Sequence, residues 1–413
     1  MAVEADIGIV GKVFILLRES AYDCGRNEEA LFVRREIPFW GVFLNEQVLK
    51  TLRPDRTDKQ EGNERSMKVR MKDIAKELGI STVTVSKVFN NHTDISPATR
   101  ERVLRRMQEL NYKPSLHAQG LATGHTSMVG LIVPDLVHAF FSEVAKSLSR
   151  VLRQKGLGLL IADSDEDDKL ENQEIEQMMR RQVDVLIVVS CQSDAKHLRR
   201  VVDSNIPLIL VDRRFEDLKA NYVGTDNVLV GDMATEHLIS IGRRRIAHIC
   251  GKNVSTSRDR LTGFRNALAR HGIEVPKNFV VSRELSDKAG DVTGRQAMQK
   301  LLALRSYPDA VFCYNDPAAI GAMNAIISAG LRIPEDIALI GAGNIRYAES
   351  FRVPLSSIEV SSTALGEEAG KLVFDVVNPM RKARPKSVLI RPKLLIRDSS
   401  VQGAAHGIHL AGK

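Results

Sequence analysis

The chain has 413 residues, of which 43% are hydrophobic and 27% are charged, a length too great for a single hydrophobic core and indicative of two or three domains. No apolar run approaches the roughly 20 residues of a membrane-spanning helix, and the formal net charge of +8 permits a nucleic-acid partner without proving one. The four cysteines lie far apart and form no metal-type pair, so we expect a cytoplasmic protein that uses neither a metal nor a cofactor.

The first 66 residues do not share the basic character of residues 67–126, because they carry 10 Lys and Arg against 12 Asp and Glu. They hold no recognisable motif and end in a polar stretch at 53–65 whose composition predicts disorder. Met67 offers an alternative start just before the first predicted helix. We therefore interpret residues 1–66 as an N-terminal extension that is disordered or not native.

Residues 71–91 predict two short helices about a tight turn, because apolar residues recur at helical spacing on either side of Gly79. Glycine readily adopts the left-handed conformation that ends a helix, and Ser81 is then a suitable cap for the second helix. The predicted outward face of that helix consists of Thr82, Val83, Ser86 and Lys87. Two helices in this order are typical of a helix-turn-helix DNA reader, although a plain helical hairpin would share the pattern.

A third helix is predicted to begin at Ser96 and Pro97, a capping residue followed by proline at the first helical position. Its predicted buried stripe is Val103, Leu104, Met107 and Leu110. Residues 67–126 hold 10 Lys and Arg against 5 Asp and Glu, although the arginines of this helix fit a solvated face as well. A short helical pattern at 115–122 and a linker come after this helix.

From Met128 the pattern changes to short apolar strands that alternate with helices, which predicts parallel sheets covered on both faces. The units are too many for one sheet, so we expect two lobes with a cleft between them. Ligands of such sheets bind beyond the carboxyl ends of the strands. The predicted strands are 129–133, 157–162, 185–189, 208–211, 246–249, 279–283, 310–313 and 338–341.

The chain resembles the LacI/GalR family of bacterial transcriptional repressors over about residues 68–400. The resemblance rests on 71–90, on 103–121, and on Tyr314-Asn315-Asp316 within the two-lobed α/β body. It implies a small all-α helix-turn-helix headpiece followed by an α/β body of parallel sheets like the periplasmic sugar-binding proteins. The implied domains are the headpiece 67–114, a hinge helix and linker 115–126, the body 127–400 and a tail 401–413. Within the body we expect one lobe from 127–226 with 357–383, and the other from 227–356 with 384–400.

The resemblance implies that the second helix reads base edges in the major groove through Thr82, Val83 and Lys87, of which Lys87 can donate to guanine. Short polar residues beside them suit phosphate contacts, namely Ser81, Thr84, Ser86 and Asn90. In the family, paired hinge helices enter the minor groove, where Leu121 would wedge a base step and Ala118 would permit close approach. Leu121 packed against the body is the alternative.

The resemblance also implies an effector site at the strand ends that face the cleft. Its candidates are Asp135, Phe140, Phe141, Asp163, Asp212, Arg213, Arg260, Asn315, Asp316 and Asn344. Carboxylates, an arginine fork and aromatic rings suit a sugar, a sugar phosphate or a nucleobase. Two alternatives remain open, since Asp316 often caps a helix in this fold and one phenylalanine could belong to the core. Gly343 stands where many relatives carry an acid, so the usual mode of binding a neutral sugar is less certain.

The function predicted from the sequence is a homodimeric DNA-binding regulator, most simply a repressor, that a sugar or sugar derivative controls. No Ser/His/Asp order, metal cluster or phosphate loop indicates an enzyme. A solute-binding protein of a transport system would share the body but lack the headpiece, and we also retain a corepressor-dependent or an activating regulator as alternatives.

Overall fold

The computed structural model describes residues 69–89, 92–112, 124–282, 290–377 and 384–403, and the backbone of 408–410. The predictions for the extension 1–66, for Asn90 and for the hinge residues Ala118 and Leu121 lie outside the described residues.

The headpiece consists of α1 (Met71–Leu78), α2 (Thr82–Phe89) and α3 (Pro97–Glu109). The predicted helix boundaries are confirmed: Gly79 takes φ 66° at the end of α1, and Ser81 Oγ accepts a hydrogen bond from the Thr84 amide at 3.0 Å. The three helices enclose a small core, made of Ile74, Ala75, Val85, Val88, Val103 and Met107. The prediction that Leu104 is buried is wrong, because it lies one residue past Val103 on the helical face turned to solvent and is 42% exposed.

The body alternates strands and helices as predicted. Its strands are β1 (Met128–Val133), β2 (Gly158–Asp163), β3 (Val185–Val188), β4 (Leu208–Val211), β5 (Asn221–Thr225), β6 (Ile246–Ile249), β7 (Val280–Val281), β8 (Ala310–Cys313), β9 (Ala338–Gly343), β10 (Ser356–Glu359), β11 (Ser387–Ile390), β12 (Lys393–Ile396) and β13 (Ile408–Leu410). Its helices are α4 (Ala139–Arg153), α5 (Asp168–Arg180), α6 (Lys196–Asp203), α7 (Asn227–Ser240), α8 (Ser255–Arg270), α9 (Gly290–Leu302), α10 (Asp316–Ser328) and α11 (Ser362–Val377).

The strands form two separate sheets, one for each lobe. The first lobe has a six-stranded parallel sheet in the order β11-β5-β4-β3-β1-β2. The second lobe has the order β13-β12-β10-β9-β8-β6-β7, in which the two pairings of β12, with β10 and with β13, are antiparallel and the other described pairings are parallel. Central strands such as β3 are buried along their whole length, as expected of parallel strands that helices cover on both faces.

Among the described residues, three crossings of the chain connect the lobes, and the strand pairings change the predicted partition. The strand β10 belongs to the second sheet because it pairs with β9, and β11 belongs to the first because it pairs with β5. The sequence-based division had assigned each of these two strands to the other lobe. At the crossings, Thr225 Oγ1 donates to the Val360 carbonyl at 2.9 Å and the Asp226 amide donates to the Ile390 carbonyl at 3.2 Å.

Candidate functional sites in the headpiece and the interlobe cleft

The outward face of α2 is formed by the side chains that the sequence predicted. Val83 is 62% exposed, although it is a large apolar residue, and Thr82 beside it is also exposed. Val85 and Val88 are fully buried on the opposite face and fix the helix against the headpiece core. An exposed valine at the front of a helix can contact a thymine methyl group in a major groove.

The polar residues of this face already have partners within the headpiece. Ser81 Oγ and Thr84 Oγ1 share a hydrogen bond of 2.9 Å at the start of α2. Lys87 Nζ donates to Asp94 Oδ2 in the connection to α3. Ser86 is half-buried on the same helix. These contacts hold the polar atoms in place at the surface of α2.

A cleft between the lobes has an empty volume of about 520 Å³, which includes its open mouth. It lies at the carboxyl ends of the parallel strands, as predicted. Predicted residues that line it are Asp135, Phe140, Phe141, Asp212, Arg213, Arg260 and Asn315. Gly343, where the sequence analysis noted a missing acid, also lines it. The sequence reasoning did not include the other lining residues, which are His138, Glu166, Tyr314, Ala342 and Val360.

Arg213 is the buried cation on the first-lobe side of the cleft. Its Nη2 donates to Glu166 Oε1 at 2.9 Å and its Nη1 donates to the Ser190 carbonyl at 3.1 Å. Its Nε is buried and donates to no described residue, with Asp212 Oδ2 at 4.0 Å. An arginine donor held in this way can bind an oxygen atom of a ligand in the cleft.

Asp212 carries a second charge into the cleft at the end of β4. It has φ 62°, so the backbone turns sharply where the strand ends. Burial raises the pKa of its carboxyl group, although Arg213 and Arg260 oppose that shift. The carboxylate accepts no hydrogen bond from the described residues, which leaves it able to accept ligand hydroxyl groups.

Arg260 supplies the buried cation on the second-lobe side. Its Nε donates to Asn227 Oδ1 at 2.9 Å and its Nη1 donates to the Tyr314 carbonyl at 2.5 Å. Its guanidinium lies 4.8 Å from the centre of the Tyr314 ring. Among the described residues Nη2 has no acceptor, so this nitrogen remains for a ligand. Asn315 caps α10 through Oδ1, which accepts from the Ala318 amide at 2.9 Å, and its amide nitrogen is left to donate.

An aromatic wall completes the first-lobe side at the start of α4. The rings of Phe140 and Phe141 pack edge to face with centroids 5.2 Å apart, and both residues are buried. Arg213 lies 5.8 Å from the centre of the Phe141 ring. His138 caps α4 by accepting from the Phe140 amide at 3.3 Å. Both phenylalanines therefore join the core and still present ring surface to the cleft.

Three predicted effector residues do not line the cleft, and each has a structural role that explains it. Asp163 accepts from the Leu136 and Asp165 amides and so fixes the loops after β1 and β2. Asp316 is fully buried and accepts from Ser357 Oγ at 2.7 Å and the Ile345 amide at 2.8 Å. Asn344 Oδ1 accepts from Arg397 Nη2 at 2.9 Å. The cap of α10 is Asn315, and not Asp316.

Gly343 occupies the point at which β9 reaches the cleft. Its φ of 135° is accessible only to glycine, and a Cβ atom there would lie 3.3 Å from Asp316 Oδ2. An acidic side chain at this position would therefore be strained and would approach a buried carboxylate.

Polar contacts join the lobes at the rim of the cleft. Lys252 of the second lobe lies 3.3 Å from Asp168 Oδ1 and donates to the Glu166 carbonyl at 3.1 Å. Arg214 of the first lobe lies 3.1 Å from Asp259 Oδ2, and its amide donates to Ser255 Oγ at 2.9 Å.

None of the described helices is long and apolar enough to cross a membrane. In the same part of the chain no group of three His, Cys, Asp or Glu side chains could hold a metal ion.

Comparisons with known proteins match both parts of this architecture. Residues 70–115 match the family described as bacterial regulatory proteins, lacI family, and residues 235–400 match the periplasmic binding protein-like domain. The regulator DegA of Bacillus subtilis is 31% identical over 338 residues, which are 81% of this chain and 98% of DegA. The ribose operon repressor of Haemophilus influenzae is 34% identical over 331 residues, which are 80% of this chain and 98% of that protein.

Solved structures agree in fold. The complex of the regulator CelR with cellobiose has a TM-score of 0.61 and 26% identity, and the match covers 80% of this chain and 100% of CelR. The Lac repressor dimer on its operator has a TM-score of 0.72 at 24% identity, with 80% of this chain and 99% of that one covered. With a helix-turn-helix headpiece, a two-lobed body and relatives that match along most of its length, the chain belongs to the LacI family of bacterial transcriptional regulators.

Proposed function

We propose that this DNA-binding regulator is a homodimeric repressor of the bacterial cytoplasm that releases or holds its operator according to a sugar or sugar derivative in the interlobe cleft. One observation carries the proposal: two buried arginines with unused donors face Asp212 and an aromatic wall in the same cleft. Sugars offer hydroxyl groups to arginine and carboxylate, and apolar ring faces to aromatic side chains.

On the DNA side, Thr82, Val83 and Lys87 are our proposed base readers, because they lie on the exposed face of a helix that buries its valines. Ser81, Thr84, Ser86 and Asn90 are the proposed phosphate contacts. For the hinge we propose that Ala118 and Leu121 contact the minor groove, a role that the family resemblance supports. Two headpieces related by two-fold symmetry would read a near-palindromic operator.

Coupling between the two sites would act through the relation of the lobes. A ligand that binds one arrangement of the lobes more tightly shifts the population towards that arrangement, and the effect on DNA and on ligand is reciprocal. Names of similar proteins mention ribose and cellobiose, which supports a sugar as the class of ligand to test first.

The test begins with the operator. DNA that the full-length protein binds is selected from a random pool, and its symmetry and length are read from the sequences. A thermal-shift screen with sugars, sugar phosphates and nucleobases then identifies ligands, and gel shifts measure operator affinity with each of them. We expect a sugar to raise the unfolding temperature and to change operator affinity. A nucleobase that does both while no sugar does would overturn the sugar assignment.

Arg260→Met serves as the control in that screen, because it removes the second-lobe donor and retains similar bulk. It should abolish the response to the ligand and leave DNA selection unchanged. A selection that enriches no common DNA sequence would contradict sequence-specific binding. An enriched operator together with no response to any ligand would contradict only the proposed effector site.

A further inference from the structure

Asp94 forms an ion pair with Lys87, the charged member of the outward face of α2. Lys87 lies in the last turn of that helix, and Asp94 lies seven residues later in the connection to α3. The two side chains are 40% and 54% exposed, so the pair lies at the surface that α2 presents. The hydrogen bond from Lys87 lowers the pKa of Asp94, which is therefore ionised at neutral pH.

The connection that carries Asp94 is fixed at both ends. The His92 amide donates to the Lys87 carbonyl at 3.0 Å, and Arg100 donates to the His92 carbonyl. On the other side Ser96 caps α3, and Ile95 packs against the headpiece core. The carboxylate thus has a defined position, and its hydrogen bond with Lys87 favours one placement of the ammonium group.

The ion pair should reduce the contribution of Lys87 to phosphate binding more than its contribution to base contacts. Non-specific binding depends on how many cations reach phosphate groups, and a neutralised, tethered ammonium contributes less to that number. An ammonium has three donors, so Lys87 can keep one on Asp94 and give the others to the N7 and O6 of guanine. The pair therefore weakens attachment to arbitrary DNA more than it weakens base recognition.

From this geometry we propose that Asp94 is a positioning residue that raises the discrimination of the protein between its operator and other DNA by holding Lys87 for base contact. The proposal rests on the base-reading role proposed above for Lys87. Two simpler explanations compete with it, in which Asp94 acts only through its charge or only through the stability of the headpiece.

The experiment measures dissociation constants of the full-length protein for the selected operator and for a scrambled duplex over a range of salt concentrations. The variants are Asp94→Asn, Asp94→Glu, Lys87→Gln, the double variant Lys87→Gln/Asp94→Asn, and Glu101→Gln. Glu101 is the matched control, because it is an exposed acid on α3 that pairs with Arg105 in the same headpiece. Thermal unfolding of each variant checks the stability of the headpiece.

We expect Asp94→Asn to tighten binding to scrambled DNA by about fivefold and to steepen its salt dependence by about one unit, since one more cation reaches a phosphate. Operator affinity should change by less than about twofold, so discrimination falls, and Asp94→Glu should restore part of it. In the Lys87→Gln background the same change should have little effect.

Equal tightening with and without Lys87, or an equal effect of Glu101→Gln, would overturn the proposal in favour of bulk charge. No change in scrambled-DNA binding by Asp94→Asn would also overturn it, as would a fall in discrimination that only tracks a lower unfolding temperature. The single variant Lys87→Gln separates the proposed role of Lys87 from that of Asp94. If Lys87→Gln leaves discrimination intact, Lys87 does not read bases, and the proposals for both residues fail. If Lys87→Gln lowers discrimination but Asp94→Asn does not, only the proposal for Asp94 fails.

Discussion

Among the single residues of the cleft, Arg213 lies beside two acidic side chains. It is 3% exposed and pairs with Glu166, which is 5% exposed, while Asp212 and the Phe141 ring lie on its other sides. A buried ion pair of this kind adds little stability by itself, because both charges lose their hydration. Removal of one partner is more costly, although Glu166 would keep one further cation, because Lys252 Nζ lies 3.7 Å from its Oε2.

Arg213→Gln should therefore lower the free energy of unfolding by about 2 kcal/mol, less than for a buried charge with no partner left, because Glu166 keeps the partly exposed Lys252 beside it. The double variant Arg213→Gln/Glu166→Gln should recover much of that loss, because the buried carboxylate is neutralised together with its partner. Urea unfolding followed by circular dichroism measures both. A single variant as stable as the wild type would show that water reaches Glu166.

Asp212 gives a dependence on pH whose sign follows from its raised pKa. The folded protein binds the proton more tightly than the unfolded chain, so this group lowers stability as the pH rises from the unfolded pKa through the folded one. Asp212→Asn should raise the unfolding temperature at neutral pH and flatten its fall between acid and neutral pH. The same variant should bind the effector more weakly, because the hydroxyl acceptor is lost.

Calorimetry at several pH values, with and without effector, measures both effects of Asp212→Asn. Asp203→Asn is the control, because Asp203 is an exposed acid outside the cleft. A variant that is less stable than the wild type at neutral pH would contradict the assignment of a carboxylate whose burial outweighs its attraction to Arg213 and Arg260.

The family resemblance, together with the predicted strand ends, identified Asp135, Asp212 and Arg213, because parallel strands bring their carboxyl ends to one edge. It failed in the acidic loop after β2, where Asp163 was chosen and Glu166 lines the cleft. The loop contains five acids in six positions, and its path turns at Asp165 and Glu166, which have φ values of 49° and 54°. Periodicity carries no signal for such a turn, so the buried acid could not be distinguished from the solvated ones.

Close glycine contacts set the packing of helix pairs at the scale of elements. A Cβ atom on Gly231 of α7 would lie 2.0 Å from the Arg260 carbonyl oxygen, and one on Gly263 of α8 would lie 1.9 Å from that of Val228. Both neighbours are backbone atoms, which cannot move independently of their helix. The approach of α7 and α8 thus fixes the position of Arg260, which also donates to Asn227 at the start of α7.

Gly263→Ala should lower the free energy of unfolding by about 1 to 3 kcal/mol, as overpacking usually does, and it should also weaken effector binding because α8 carries Arg260. Gly370→Ala is the matched control: its Cβ atom would lie 2.7 Å from Val151 between α4 and α11, away from Arg260. Urea unfolding and effector titration are compared for the two. An equal loss of effector affinity in both variants would indicate a general effect of lower stability.

The apolar runs predicted the central strands well and the peripheral ones poorly. The strands β1, β3, β4, β6, β8 and β9 are buried and apolar, so their sequences stand out. By contrast β10 begins with Ser356 and Ser357, whose hydroxyl groups donate to the Arg397 carbonyl and to Asp316. Hydrogen-bonding partners far along the chain determine such strands, and a local pattern does not contain them.

For the whole molecule, the rim contacts are the links between lobes that change most easily. Lys252 with Asp168 and Arg214 with Asp259 are partly exposed pairs, which contribute little each and are screened by salt. Because they stabilise the arrangement in which the lobes lie together, effector affinity should fall as the salt concentration rises.

Lys252→Met should weaken effector binding by about two- to fivefold at low salt, within the range of one exposed ion pair, and should reduce the dependence on salt. Lys155→Met, an exposed lysine that pairs with no described acid, should change neither quantity. Isothermal titration at several salt concentrations gives the affinities, and small-angle scattering gives the separation of the lobes. Identical salt curves for both variants would show that the rim does not contribute.

The pairing of β11 with β5 has a consequence for how the protein is made. The Lys386 amide donates to Asn221 Oδ1, a contact that joins residues 165 positions apart. A ribosome that has produced the first five strands still has to synthesise β6 to β10 of the second lobe before β11 emerges, and until then β5 is an open sheet edge that invites aggregation. The first lobe is therefore completed only after β6 to β10 of the second lobe have been made, and a nascent chain interrupted before residue 387 cannot finish either lobe.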